Sequence, residues 1–223
     1  LLKEFVEWLP ELEKHETFYV ALLARSKYCK NTDGNNVFPH IQSDKHQLKR
    51  FLANKQNLIS KIKQLECPLG SYVTKENIVI PNDALALYIT PNPRDLKKAT
   101  VSSVRKLLDL ALKEYAGHNP YQEVISEIQR CKSRIIAIDF DFDNIDLAFL
   151  KSELAKYVNM DAVTIVKTRG GYHVLINPKK IHKSFQKHWY INIRNMEGCD
   201  VCADNMLPVI GCNQGNFIPH FIK

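Results

Sequence analysis

The sequence predicts a mixed fold, α/β or α+β, from three observations. Apolar runs rich in β-branched residues read as strands, of which Ile135-Ile136-Ala137-Ile138 is the clearest. Amphipathic stretches at helical spacing lie between them. No internal repeat or low-complexity tract interrupts the alternation. At 223 residues and 45% apolar content the chain can bury a full core, either as one large domain or as one domain with a small appendage.

Along the chain, Phe5, Trp8, Leu9 and Leu12 have helical spacing, and the apolar run 18–24 fits a buried strand or a buried helical turn equally well. Residues 31–36 are a loop by their turn residues. Residues 44–65 read as a basic helix. Leu48, Phe51, Leu52, Leu58, Ile59 and Ile62 form its apolar stripe, and Lys45, Lys49, Arg50, Lys55, Lys61 and Lys63 carry its charge. The first 75 residues are thus expected to form a mostly helical, basic region packed on a core spanning 76–223. A strand is expected at 85–90, after which Pro91 and Pro93 take the chain out of the sheet, because proline cannot donate to a ladder. Helices are expected at 101–116, 121–131 and 145–158. Strands are expected at 134–142, 162–168, 171–177 and 206–210, with a hairpin between the second and third of these.

Composition narrows the function. A net charge of +7 favours a polyanionic partner. No stretch approaches the roughly 18 apolar residues of a membrane span, and no secretory signal is visible, so a cytoplasmic protein without a membrane partner is expected. The six scattered cysteines favour reduced thiols over a disulfide framework. Cys199, Cys202 and Cys212 with His188 or His220 could supply four zinc ligands. No second Cys-x2-Cys or paired histidine completes such a set, so these cysteines are expected to be small core residues rather than a structural zinc site.

The chemistry concentrates in two stretches. In Ile138-Asp139-Phe140-Asp141 an apolar run leads into carboxylates at alternate positions, which a strand places on one face. Such a pair suits a divalent cation held by hard oxygen ligands, Mg²⁺ or Mn²⁺. Asp143 keeps the same parity, but Asn144 follows at once, so it is expected to leave the strand and cap the next helix; Asp146 is read as a helix cap as well. The second stretch, Lys167-Thr168-Arg169-Gly170-Gly171-Tyr172-His173, has bare glycine amides flanked by Lys167, Arg169 and His173, a plausible cradle for a triphosphate. A third region offers two further acids, Asp200 and Asp204. Asp204 stands just ahead of the apolar stretch Met206–Ile210 and is preferred as the third ligand. Asp200, which follows Cys199, is kept as the alternative.

Taken in order, these elements resemble the catalytic core of the archaeo-eukaryotic primase superfamily, in its phage or plasmid type. Its marks are a hydrophobic strand ending in Asp-x-Asp, a small-residue-x-His strand and a hydrophobic-Asp strand. Here they correspond to Ile138-Asp139-Phe140-Asp141, Gly171-Tyr172-His173, and either Ala203-Asp204 or Cys199-Asp200. The intervals are 32 residues from Asp141 to His173, then 31 to Asp204 or 27 to Asp200. The segment Tyr88-Ile89-Thr90-Pro91-Asn92-Pro93-Arg94 is similar to the family's nucleotide-facing loop. The resemblance covers roughly residues 80–220. It implies an α+β core with an RRM-like mixed or antiparallel sheet flanked by helices.

It also implies a template-directed nucleotidyltransferase, a primase or DNA polymerase joining nucleoside triphosphates on single-stranded DNA in the cytoplasm, a host's if the protein is viral. Asp139, Asp141 and the third acid would hold two metal ions, while His173, Arg169, Lys167, Gly170, Gly171 and Arg94 would bind the nucleotide. Lys45, Lys49, Arg50 and Lys55 would follow template phosphates, and a replicative helicase domain or protein is an expected partner. Two other readings stand beside it. One is a metal-dependent phosphoesterase or nuclease, since Asp139-Phe140-Asp141 also resembles the haloacid-dehalogenase pattern. The other is a non-catalytic nucleic-acid-binding replication module.

Overall fold

A computed structural model describes residues 1–29, 46–65, 72–74, 77–114 and 117–223. In chain order the elements are α1 (Leu2–Trp8), β1 (Glu16–Ala24), β2 (His46–Ala53), α2 (Leu58–Lys63), β3 (Leu85–Ile89), β4 (Arg94–Asp95), α3 (Leu96–Leu112), α4 (Pro120–Arg130), β5 (Ile138–Asp143), α5 (Leu147–Tyr157), β6 (Val163–Lys167), β7 (Gly171–Ile176), α6 (Trp189–Arg194), β8 (Cys199–Ala203), β9 (Leu207–Pro208) and β10 (His220–Ile222). The fold is α+β. Two sheets run β2-β1-β3-β9, with β4 also on β1, and β10-β6-β7-β5-β8. Every strand pairing among the described residues is antiparallel.

Alternation along the strands builds the layers. Phe18, Val20 and Leu22 of β1, with Leu87 and Ile89 of β3, meet Val166 and Leu175 of the second sheet in one core. The opposite face of the first sheet, with Tyr19, Ala21, Leu23, Ala86 and Tyr88, packs on Ala99 of α3 and Ile125 and Ile128 of α4. In the second sheet Phe140, Phe142, Val174 and Ile176 face away from the first and pack on Leu150 and Leu154 of α5 and Ile193 of α6. The result is helices, sheet, sheet, helices. Each fully buried aromatic or aliphatic side chain contributes about 1.5–3 kcal/mol, so Phe140 and Phe142 anchor β5 firmly against α5 and α6.

The helices start where side chains can receive orphan backbone N–H groups. Asp95 accepts from Lys98 at the head of α3, Asn119 from Tyr121 and Gln122 at α4, and Asp146 from Phe149 at α5. Asp146 is therefore the cap of α5. Asp143, expected to leave its strand for that role, is instead the last residue of β5.

Two expectations for the N-terminal region are corrected. Where a basic helix is expected over 44–65, the described residues form a strand, β2, followed by the short α2, and the run 18–24 lies in the fully buried strand β1. Among its described residues the region is thus not mostly helical. β1 must have both its backbone edges paired, β3 taking one and β2 the other, and this tertiary demand outweighs the helical pattern. Asn54 and Asn57, each accepting from the other's backbone N–H at 2.9 Å, close the turn that separates β2 from α2. Lys45 lies outside the described residues.

Candidate active site

β5 runs between β7 and β8, and register rather than sequence proximity gathers the acids. Asp141 pairs with His173 on one side and with Asp200 on the other. Directly opposite residues share a face, so His173, Asp141 and Asp200 form a row across three strands. A register shift between Asp139 and Phe140 ends this regular pairing, setting Ala203 opposite Asp139. Asp204 thereby falls just beyond β8, and the apolar stretch after it, β9, joins the other sheet through β3.

Asp139 is only 2% exposed, and both its oxygens lie 2.9 Å from Nδ1 of His173. It receives the Nδ1–H and fixes the ring, leaving Nε2 on the side of Asp141, 3.7 Å from its Oδ1. Burial disfavours a charged imidazole, yet Asp139 and Asp141 outweigh it and His173 titrates above its ordinary 6.5. The Asp141 carboxyl is pushed up, first by burial and then by Asp143 and Asp139, against the opposing pull of His173 and Lys27. The Cys199 thiol, on the far face of the sheet, is pushed up to about 11 by burial and then by the charges of Asp200, Asp141 and Asp139. The site is a concentration of negative charge that its own side chains only partly offset.

A group whose pKa is raised by folding adds stability below its unfolded value and loses it as pH climbs through the folded one. His173 therefore stabilises the fold at and below about pH 6.5, and that contribution fades on the alkaline side. Urea midpoints should decline from neutral into alkaline pH in the wild type and stay flatter in His173→Asn. An equal decline in both would remove the Asp139–His173 pair from the account.

The row opens into a cavity of about 340 Å³. Asp141, Asp143, Asp200 and His173 line it together with Arg25 and Lys27. Arg25 is 6% exposed, its guanidinium hydrogen-bonded to the Tyr88 hydroxyl and stacked over the Tyr28 and Tyr88 rings. Gln214 also donates to the Tyr88 hydroxyl, at 3.4 Å. Arg25, Lys27 and Asp143 are functional candidates that the sequence reading missed. A signal existed for Arg25, which follows the buried run 18–24 as Asp139 follows its own apolar run.

The other expected site residues are divided. Gly170 lines the cavity beside Asp143. Gly171 is required by packing, since a Cβ there would stand 2.0 Å from the Phe142 carbonyl oxygen. Arg169 stacks on Tyr28 at 4.4 Å. Lys167 pairs with Tyr172 and lies over its ring at 4.1 Å, on the face opposite His173. Lys55 binds Glu11 and the carbonyls of Glu7 and Leu9 at the end of α1, away from the acids. Lys49, opposite Leu22 on β2, is exposed. Cys199 and Cys212 pack in separate cores, so they do not share one zinc ion.

Asp204 and Arg94, expected to hold metal and nucleotide, hold each other. Arg94 donates through both terminal nitrogens, at 2.7 and 3.3 Å, and Asn92 adds a third bond at 2.8 Å. Asn92 also receives the N–H groups of Ile136 and Ala137 and donates to the Ala137 carbonyl. This network ties the loop after β3 to the approach of β5 and the exit of β8.

Among the described residues no three His, Cys, Asp or Glu side chains form a preassembled metal-binding group. The donor chemistry nevertheless fits a divalent cation. Asp141 and Asp200 offer hard oxygens from positions roughly 5 Å apart across a strand pair, where like charges destabilise unless a cation intervenes. No protein-family model matches the chain, and comparison with curated proteins and with solved structures gives no match.

Proposed function

We propose that this cleft is a metal-dependent nucleotidyl-transfer site, of the primase-polymerase kind, that joins nucleoside triphosphates on a single-stranded DNA template. One observation carries the reading: an acidic row, Asp141 and Asp200 with Asp143 beside it, shares one cavity with Arg25, Lys27 and His173. The order β5-α5-β6-β7-α6-β8, with strands side by side as β6-β7-β5-β8, is a split β-α-β-β-α-β unit of the RRM-like type and supports it.

Asp141 and Asp200, with Asp143 at the rim, would hold Mg²⁺ or Mn²⁺, which would stabilise charge on the attacking and leaving oxygens of an in-line displacement. Asp139 holds His173 in one tautomer and favours its protonation. His173 then presents an Nε2–H donor beside the carboxylates, suited to a phosphate oxygen. Arg25 and Lys27, which line the same cavity, take the remaining phosphate charge, Arg25 from a position already fixed by two tyrosine rings.

Incubation with Mn²⁺, labelled nucleotides and a single-stranded template tests the reading by product. Extension supports it; shortening assigns the same acids to a nuclease or phosphoesterase, and binding without chemistry makes the protein an accessory module. Lys27→Met should raise the apparent KM for nucleotide about tenfold, the magnitude of one charge-assisted contact. An unchanged KM would remove Lys27 from the phosphate wall.

A further inference from the structure

Next to the acidic cavity lies a second one of about 440 Å³ with the opposite character. Arg50 of β2, Arg94 of β4 and Arg130 of α4 line it, with Thr90, Ser126 and Gln129. Its one acid, Asp204, is saturated by Arg94 and Asn92. Arg94 is 2% exposed, and its Nε–H is buried without a hydrogen-bond partner, a rare and unfavourable state for a charged donor. Arg50 is held toward α4 by Ser126 at 3.0 Å, so its guanidinium is positioned before any ligand arrives. Gln47, Gln129, Asn205 and Met206 line both cavities, so the two adjoin.

A cavity lined by three arginines, with its carboxylate already neutralised, suits a phosphate-bearing ligand. Two sources share that chemistry: the backbone of a nucleic acid strand and the phosphates of a nucleotide. The acidic cavity already has its own cationic wall in Arg25 and Lys27, which accounts for a nucleotide. We infer that the second cavity holds the phosphodiester backbone of the single strand, leading it past Met206 and Asn205 toward Asp141 and Asp200. This rests on the proposed function for the strand's role but not for its binding.

The test uses the full chain and a fluorescent single-stranded oligonucleotide, followed by anisotropy over a salt series, with a fluorescent nucleoside triphosphate plus Mn²⁺ as the second probe. In Arg50→Ala/Arg130→Ala the oligonucleotide affinity should fall at least about tenfold, and the slope of log affinity against log salt should flatten by ~1.4, two single-strand phosphate contacts. Nucleotide affinity should hold. Arg130→Ala alone, whose side chain is 67% exposed but pairs with the buried Glu127 at 2.6 Å, should give about half the slope change, with thermal melting of the variant checking that loss of the pair leaves the fold intact, and Lys49→Ala, outside the cavity, should give little. Loss of nucleotide affinity with strand affinity intact would overturn the inference, as would equal losses in Lys49→Ala and Arg130→Ala. A strand-binding loss in a protein that makes no product would refute the catalytic reading and leave this one standing.

Discussion

Under the proposed function, Asp141→Asn should lower nucleotide incorporation by about a thousandfold, ~4 kcal/mol of transition-state stabilisation, and should leave a protein that melts at a higher temperature than the wild type in metal-free buffer. The stability sign follows from titration. A carboxyl whose pKa is raised by folding adds stability below its ordinary 3.8 and loses it as pH rises through the folded value, so at neutral pH the charge is a net cost. The sequence alone assigns Asp139 and Asp141 the same role, and loss of either is expected to stop catalysis without unfolding. The structure separates them. Asp139 is buried against His173, and Asp139→Ala strands that ring without its partner, a loss of about 3–5 kcal/mol. Thermal melts of the two variants should therefore move in opposite directions. Near-normal synthesis by Asp141→Asn would sink the metal-site reading; a rise in melting temperature for Asp139→Ala would show that the His173 pair does not support the fold.

Asp204→Ala should destabilise the protein by about 3–5 kcal/mol, on the order of 10 °C, because it leaves Arg94 with a side chain 3% exposed and no counter-charge. Its folded fraction should retain activity, and Asp204→Asn, which keeps one acceptor for Arg94, should recover part of the stability. Asp200→Asn should do the reverse. Asp200 is exposed and sits opposite Asp141, so its loss should reduce activity by roughly a hundredfold, ~2.7 kcal/mol, with little change in melting. Activity profiles with the two positions exchanged would return the third ligand to Asp204 and remove the argument from register.

Much of the architecture was legible from local pattern. α3, α4 and α5 begin within a few residues of expectation because an apolar stripe and a capping side chain are both local features. The hairpin of β6 and β7 is announced by its glycines, and the pairing of Asp139 and Asp141 on one face follows from a strand's period of two. That His173 joins them follows less directly, from the order and spacing of motifs.

What failed was information carried across the sheet. Residues 46–53 have a helical pattern but sit where β1 needs a partner. Asp204 fits the spacing as well as Asp200, yet a single register shift opposite Asp139 carries it out of the row and into the grip of Arg94. Lys167 is close to His173 in sequence and on the wrong face of the sheet. Arg25 and Lys27 lie more than a hundred residues before the acids and come to line the same cavity only in the folded chain. The sequence by itself determined which residues alternate, where helices begin and which strand carries the carboxylates, since each depends on neighbours within a few positions. The tertiary structure alone decided which acid pairs with Asp141 and which cations share their cavity, because strand register and packing are set by contacts among residues distant in the chain.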